Sequence, residues 1–153
     1  AISILNNPKI HYAILGSGKI ENELKELVNS LGLDNNVHFL GFCDNVYEIL
    51  KSSDIFCFPS KQEGLPVALM EAMASSLPVV ASKVRGNTDL IIQNKGGLLF
   101  NPNDVKGFAG GIKTLIDNKD LCRKMGKYNK ERVKEYDLKT VKEQYADIFF
   151  GQA

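Results

Sequence analysis

Two hydrophobic periodicities alternate along the first two-thirds of the chain. Short apolar runs rich in β-forming residues are separated by segments in which apolar residues recur every three or four positions, as on one face of a helix. The predicted strands are 9–15, 37–40, 54–58, 78–81 and 97–100, and the predicted helices between them are 21–31, 46–51, 66–74 and 88–92. Strands and helices in this order predict an α/β fold, in which βαβ units form a mainly parallel sheet flanked by helices.

The ends of the chain have a helical pattern. Residues 1–5 resemble the tail of a helix, and three further helices are predicted for 104–117, 121–136 and 138–150. Their predicted N-terminal caps are Asn103, Asn118 and Asp137. Four apolar residues share one face of the last helix: Val141, Tyr145, Ile148 and Phe149. A helical C-terminal segment therefore follows the α/β part.

The most informative stretch joins the predicted strand 54–58 to the helix 66–74. Its loop lies at the carboxyl end of a buried strand, which is where open α/β sheets bind ligands. The loop contains Glu63 and Gly64, and Glu71 interrupts the apolar pattern of the helix. Spacing alone allows a simple alternative, in which Glu71 faces solvent and Glu63 is a turn residue. A ligand site and a surface loop both remain open on this evidence.

The residues around these two carboxylates help to distinguish a ligand site from a surface loop. Seven residues separate Glu63 from Glu71. The surrounding block comprises Pro59-Ser60, Gly64-Leu65-Pro66, Ala72-Met73 and Leu77-Pro78-Val79-Val80-Ala81-Ser82. It resembles the signature of retaining GT-B glycosyltransferases of family 4, and the resemblance extends from about Ile10 to the C-terminus. It implies that residues 1–153 form the Rossmann-like, nucleotide-sugar-binding C-terminal half of a GT-B fold. It also implies that the first strand of this domain and the N-terminal, acceptor-binding domain are absent.

The same resemblance assigns expected roles at the donor site. It places Glu63 as the catalytic residue beside the transferred sugar, and it gives Glu71 the ribose hydroxyls. The sugar-nucleotide diphosphate is expected at the start of the helix, at Gly64, Leu65, Pro66 and Val67. A glycine allows close approach of the backbone there, and free N–H groups together with the helix dipole favour an anion.

Three other loops complete the expected site. The resemblance places Gly16 and Gly18 beside the nucleotide, although as a bare G-x-G pair they also fit a simple tight turn. It places Phe42 and Cys43 in the loop that recognises the nucleobase, where Phe42 either stacks on the base or packs against protein. Arg85 follows the strand 78–81 and is a candidate contact for a phosphate or the acceptor.

The implied function is transfer of a sugar, with retention, from a UDP-sugar to a glycan or lipid-linked acceptor in surface polysaccharide biosynthesis. No cofactor is expected, and no metal, because no Asp-x-Asp motif appears in the donor loops. The acceptor is expected to bind through the absent N-terminal domain, so this fragment alone is expected to be inactive. Two alternatives remain: a catalytically silent nucleotide-sugar-binding module, and a sugar-nucleotide epimerase on the same fold.

Composition limits the partners. The net charge of +1 gives no global field for nucleic acid, and no nucleic-acid partner is expected. The segment from Lys113 to Lys142 contains ten Lys and Arg and five Asp and Glu, a local charge of +5. This excess fits either solvated helix faces or docking to an anionic membrane or a partner domain. The three cysteines are widely spaced and match no metal-ligand pattern. The sequence contains no apolar run long enough to span a membrane and no signal-peptide pattern. These features favour a cytoplasmic location, and peripheral association with the inner face of the membrane is an option.

The missing strand has a structural consequence. In a 3-2-1-4-5-6 sheet the first strand lies between the strands predicted here for 10–15 and 54–58. Without it, both inner edges carry unpaired backbone groups. We therefore expect the chain either to self-associate or to pair these two strands directly. The resemblance also implies that two diphosphate-binding cations are lost with this region, so UDP binding by residues 1–153 should be weak; candidate partial substitutes are Lys19, Lys61, Lys83 and Arg85.

Overall fold

The computed structural model describes residues 1–151, apart from the side chain of Asp147. Its helices are α1 (Ile2–Leu5), α2 (Glu21–Ser30), α3 (Val46–Lys51), α4 (Val67–Ala74), α5 (Asn87–Leu90), α6 (Val105–Asp117), α7 (Lys119–Arg132) and α8 (Leu138–Phe150), with a 3-10 turn at Val133–Tyr136 between α7 and α8. Its strands are β1 (Tyr12–Leu15), β2 (Val37–Gly41), β3 (Phe56–Phe58), β4 (Val79–Ser82) and β5 (Gly97–Phe100). Within residues 1–151, none of the helices has the length and apolar character needed to cross a membrane.

The strands form two separate parallel sheets. β1 pairs with β2, and β3, β4 and β5 pair in that order, all in parallel. The prediction of an α/β fold with a mainly parallel sheet is therefore confirmed. Direct pairing of the strands predicted for 10–15 and 54–58 does not occur, because β1 and β3 belong to different sheets.

The core lies on both faces of β4. On one face, Val79 and Ala81 pack with Leu69 and Met73 of α4, and on the other Val80 packs with helices α6 and α7. Every residue of β4 is buried, as expected for a central strand of a parallel sheet covered by helices on both sides. This core fixes the loops that follow β3 and β4.

A gap separates the two sheets. Tyr12 of β1 and Cys57 of β3 line the same cavity of about 230 Å³, together with Ala1 and Ile2. Burial raises the pKa of the Cys57 thiol to about 11 and raises the pKa of the Tyr12 hydroxyl as well. The gap is thus apolar enough to disfavour charge on both groups.

Element boundaries differ from the predictions at several ends. The strands begin at Tyr12 and Phe56 rather than at 9 and 54, because hydrogen bonding to a neighbouring strand starts only there. The cap of α6 is Asp104, whose carboxylate accepts from the Gly107 N–H at 2.8 Å, so the prediction of Asn103 was wrong by one residue. Asn118 caps α7 as predicted, and the Asp137 carboxylate accepts from the Thr140 N–H at the start of α8.

Candidate active site

Loops at the carboxyl ends of parallel strands, and the helix α4 that follows one of them, contain the predicted site residues. Gly16 and Gly18 follow β1, Phe42 and Cys43 follow β2, and Arg85 follows β4. The stretch from Glu63 to Pro66 follows β3, and Val67 and Glu71 lie in α4, which leaves the same end of the sheet. Because the strands within each sheet are parallel, these loops gather at one edge of each sheet.

The helix α4 begins with open backbone donors. Pro66 is its N-cap, with φ −76° and ψ 108°, and no side chain caps this end. The Leu69 and Met70 N–H groups both donate to the Pro66 carbonyl, which leaves the Val67 and Ala68 N–H groups without a partner within residues 1–151. Unpaired N–H groups at a helix N-terminus form a binding site for an anion such as a phosphate.

The two carboxylates differ in exposure. Glu63 is half-buried in the loop, whereas Glu71 is exposed one turn beyond Val67 on the same face of α4. In the part of the chain that the structure describes, neither side chain takes part in a hydrogen bond or an ion pair. Both carboxylates are therefore available to a ligand.

The first two loops are joined to each other by the backbone. The Gly16 N–H donates to the Gly41 carbonyl at 2.6 Å, and both glycines have positive φ, +100° and +65°. Phe42, next to this junction, is 83% exposed, and the Cys43 thiol donates to the carbonyls of Leu40 and Gly41. The structure therefore brings the predicted nucleotide and nucleobase loops together and leaves the Phe42 ring free to meet a flat ligand.

The helix that follows Gly16 and Gly18 is a poorer anion site than α4. Its first turn contains Glu21 and Glu23, and Glu21 pairs with Lys25 at 2.6 Å. Two carboxylates beside a helix N-terminus repel a phosphate. Electrostatics therefore favours the start of α4 for a diphosphate.

The loop after β4 packs directly on the Glu63 loop. Arg85 is exposed, and the next residue, Gly86, is buried against the Gly64 carbonyl group and the Glu63 Cβ. Sequence reasoning singled out Arg85 here and gave no role to Gly86. A glycine at the end of a strand-to-helix loop was the available signal, because glycine is favoured where two backbones approach closely.

The candidate site thus has two halves. One half comprises the loops after β1 and β2, and the other comprises the loops after β3 and β4 with the start of α4. Cations near the second half are Lys61, Lys83 and Arg85, all exposed. No group of three or more His, Cys, Asp or Glu side chains within the described residues is arranged to hold a metal ion.

Comparison with known proteins identifies relatives of this arrangement. The family model for glycosyl transferases of group 1 matches residues 1–132. EpsD of Bacillus subtilis is 30% identical over 142 residues, which span 93% of this chain and 37% of EpsD. The UDP-Gal:alpha-D-GlcNAc-diphosphoundecaprenol alpha-1,3-galactosyltransferase of Escherichia coli is 33% identical over 115 residues, or 74% of this chain and 30% of the enzyme. The chain therefore spans less than half the length of these relatives.

A solved structure shares the fold. The crystal structure of HepE from Anabaena in complex with UDP superposes with a TM-score of 0.88 and 24% identity, covering 96% of this chain and 43% of HepE. At this identity the likeness shows the fold alone, which is that of the GT-B glycosyltransferases. The predicted fold class is thereby confirmed.

Proposed function

This chain belongs to the family of group 1 glycosyl transferases, and we propose that it is the donor-binding domain of a retaining transferase that uses a UDP-sugar. The observation that carries the proposal is the β3–α4 segment, where two unpaired carboxylates flank the open N-terminus of a helix. One segment therefore presents anion-binding donors and two acceptors of hydroxyl hydrogen bonds.

In this proposal the donor diphosphate binds at the start of α4. The Val67 and Ala68 N–H groups donate to it, and Gly64, which has open space on the side where a Cβ would lie, lets the phosphates approach the backbone. The positive end of the helix dipole stabilises the negative charge. Leu65 and Pro66 shape this turn, and the exposed Arg85 is a candidate further contact to the phosphates or to the acceptor.

The two carboxylates divide the remaining contacts. Glu71 accepts hydrogen bonds from the ribose hydroxyls, because it lies one turn beyond the proposed diphosphate site on the same helix face. Glu63, in the loop before that site, contacts the transferred sugar and stabilises positive charge at its anomeric carbon. No covalent intermediate with the protein is proposed, and the sugar is transferred to the same face.

The nucleobase is proposed to bind at the other half of the site. Phe42 and Cys43 lie beside Gly41, and the exposed Phe42 ring offers a stacking surface. Gly16 and Gly18 line the same side, where the Gly16–Gly41 hydrogen bond holds the two loops together. A uracil that stacks on Phe42 would leave its polar edge for backbone groups of this loop.

The proposed acceptor is a glycan or a lipid-linked sugar. The Escherichia coli relative is named for transfer to a diphosphoundecaprenol-linked GlcNAc, which supports this acceptor class. A lipid-linked acceptor would bring the protein to the cytoplasmic face of a membrane. The excess of lysine and arginine between Lys113 and Lys142 is compatible with such a surface. Because the chain spans 37% of EpsD, we propose that it binds the donor without turning it over when alone.

Titration with UDP, followed by NMR on residues 1–153, tests the proposal. Glu71→Gln should weaken UDP binding by about 1.5–3 kcal/mol, since it removes a charge-assisted hydrogen bond to the ribose. The matched control is Glu26→Gln, the same change at an exposed glutamate of α2, which should leave binding unchanged. Uridine without phosphates should bind more weakly than UDP. Equal affinities of the wild-type chain and Glu71→Gln would remove Glu71 from the site.

A further inference from the structure

The short helix α5 lies between the Glu63 loop and the end of α7. At its N-terminus Gly86 has φ +79° and packs on the Gly64 carbonyl group. A Cβ atom at Gly86 would lie 2.3 Å from the Gly64 carbonyl oxygen and 3.2 Å from the Glu63 Cβ. The first distance is far below any van der Waals contact, and its partner is a backbone atom. Even an alanine at this position would therefore displace the Glu63–Gly64 backbone.

Gly86 is itself held in place from two sides. Its N–H donates to the Asp89 carboxylate at 3.2 Å, which closes the first turn of α5. The next residue, Asn87, is fully buried and donates from Nδ2 to the Ser82 carbonyl at 3.0 Å, at the end of β4. The N-terminus of α5 is thereby fixed to the central strand of the three-stranded sheet.

The other end of α5 is held by the C-terminal helices. Arg132, in the last turn of α7, donates from Nε to the Leu90 carbonyl at 2.7 Å and from an η nitrogen to the Asp89 carbonyl at 2.9 Å. The Tyr136 hydroxyl, in the 3-10 turn, donates to the same Asp89 carbonyl at 3.2 Å. The Arg132 side chain is only 20% exposed, and its bond to the Leu90 carbonyl is partly buried. Asp89 thus joins both ends, through its carboxylate to Gly86 and through its carbonyl to Arg132 and Tyr136.

We propose that α5 is a brace that fixes the position of the Glu63 loop. Gly86 is the positioning residue, and the hydrogen bonds from Arg132 and Tyr136 hold α5 in place. Within the described residues Glu63 has no hydrogen-bond partner of its own, and its neighbours Gln62, Gly64 and Leu65 are exposed. The contact with Gly86 therefore limits where the Glu63 carboxylate lies. This inference rests on the proposed function, since Glu63 matters to the reaction only if it faces the transferred sugar.

The first test measures the loop without any ligand. In residues 1–153, Gly86→Ala should shift the backbone amide NMR signals of Gly64 and Leu65. The matched control is Gly32→Ala, because Gly32 also has positive φ, +64°, but open space where the Cβ would lie. Both glycines have positive φ, and only the Cβ added at Gly86 meets the Glu63 loop. The proposal is contradicted if the Gly64 and Leu65 signals do not shift in Gly86→Ala, or if they shift equally in Gly32→Ala. This result does not depend on whether the chain binds UDP.

The second test asks whether the brace acts through Glu63. The affinities of the same chain for UDP-glucose, UDP-galactose and UDP are measured. The affinity for each UDP-sugar divided by the affinity for UDP reports contact with the sugar. Gly86→Ala should lower this ratio about threefold or more and should have no further effect when Glu63→Ala is already present, as expected for two residues that share one interaction. Additive losses would overturn the proposal.

A milder variant guards against misfolding. Tyr136→Phe removes one hydrogen bond to the Asp89 carbonyl without changing the volume of the side chain. It should shift the same amide signals in the same direction as Gly86→Ala, by a smaller amount. Its control is Tyr145→Phe on the exposed side of α8, which should leave them unmoved. If the Gly64 signal is unaffected by Tyr136→Phe in a folded chain, the 3-10 turn at Val133–Tyr136 does not help to position the Glu63 loop.

Discussion

At the scale of single residues, Glu63 and Glu71 are a matched pair with different surroundings. Glu71 is exposed on a regular helix, so its position is fixed by the helix alone. Glu63 is half-buried in a loop and depends on what packs against that loop. If both contact the donor, a change at Glu71 should mainly affect binding, whereas a change at Glu63 should affect the chemical step.

We expect Glu63→Ala to reduce turnover more than it reduces UDP affinity in a longer protein that contains this chain and transfers sugar. The carboxylate is proposed to stabilise charge that develops only in the transition state, and removal of such a group lowers kcat by about 10²–10³-fold. Initial rates with radiolabelled UDP-glucose or UDP-galactose, compared with the Kd for UDP, measure the two effects separately. If kcat and affinity fell by the same factor, Glu63 would be a structural residue of the loop.

Cys57 provides a pH dependence that can be predicted. Burial raises the pKa of its thiol from 9.0 to about 11. The group therefore favours the folded state fully below the unfolded value, and that contribution is lost as pH rises from about 9 towards 11. Tyr12, whose pKa is also raised, adds to the loss only at higher pH.

We accordingly expect stability to fall between pH 9 and pH 11, and to fall less steeply in Cys57→Ala. Urea unfolding at each pH gives the free energy of unfolding. The difference between the two proteins at pH 7 reports lost packing, and only its change with pH reports the thiol. Parallel pH profiles for the two proteins would mean that Cys57 ionises equally easily in the folded and unfolded chain.

At the scale of elements, local patterns predicted which helices and strands exist but not what holds them together. The apolar runs at 9–15 and 54–58 predicted two strands, yet the strands begin only where a neighbouring strand supplies hydrogen bonds, and β3 is half-buried rather than buried. Polar residues of α7 were missed for the same reason. Asn129 donates to the carbonyls of Leu77 and Gly96, which are 52 and 33 residues away in the chain. Such partners are set by the tertiary fold, which a local pattern does not contain.

Some signals were nevertheless present in the sequence. Asn129 and Arg132 follow the buried Met125 by four and seven residues, and thus lie on the apolar face of α7. A polar residue on such a face needs a buried partner. Glu63, Gly64 and Glu71 were singled out together because they belong to one contiguous block. The contact of Gly86 with this block joins two separate loops, and it became visible only in the structure.

The N-cap of α6 tests which residue stabilises the start of that helix. Asp104→Ala should lower the free energy of unfolding by about 1 kcal/mol, because it removes the acceptor of the Gly107 N–H. Asn103→Ala, at the position favoured by the sequence pattern, should change stability by less than about 0.5 kcal/mol. Thermal unfolding of both variants beside the parent chain measures the difference. An equal loss in both would mean that the cap is shared between the two residues.

At the scale of the whole molecule, the gap between the two sheets separates the two halves of the candidate site. The loops after β1 and β2 belong to one sheet, and the Glu63 and Arg85 loops belong to the other. A nucleotide that spans both halves therefore depends on how firmly the sheets hold together across the gap.

The facing edges of β1 and β3 predict self-association of residues 1–153. The Tyr12 N–H donates to Asn36 in one sheet and the Phe56 N–H donates to Pro78 in the other, so by alternation the amides of Ala13 and Cys57 point away from those neighbours. Unpaired edges of this kind pair with another chain. We expect sedimentation velocity to show a species larger than the monomer as concentration rises, and amide exchange at Ala13 and Cys57 to slow in parallel. UDP binding should be weak, since the two halves of the site are not joined by one sheet. A chain that stays monomeric at every concentration and binds UDP with a Kd of about 1 μM would contradict this prediction.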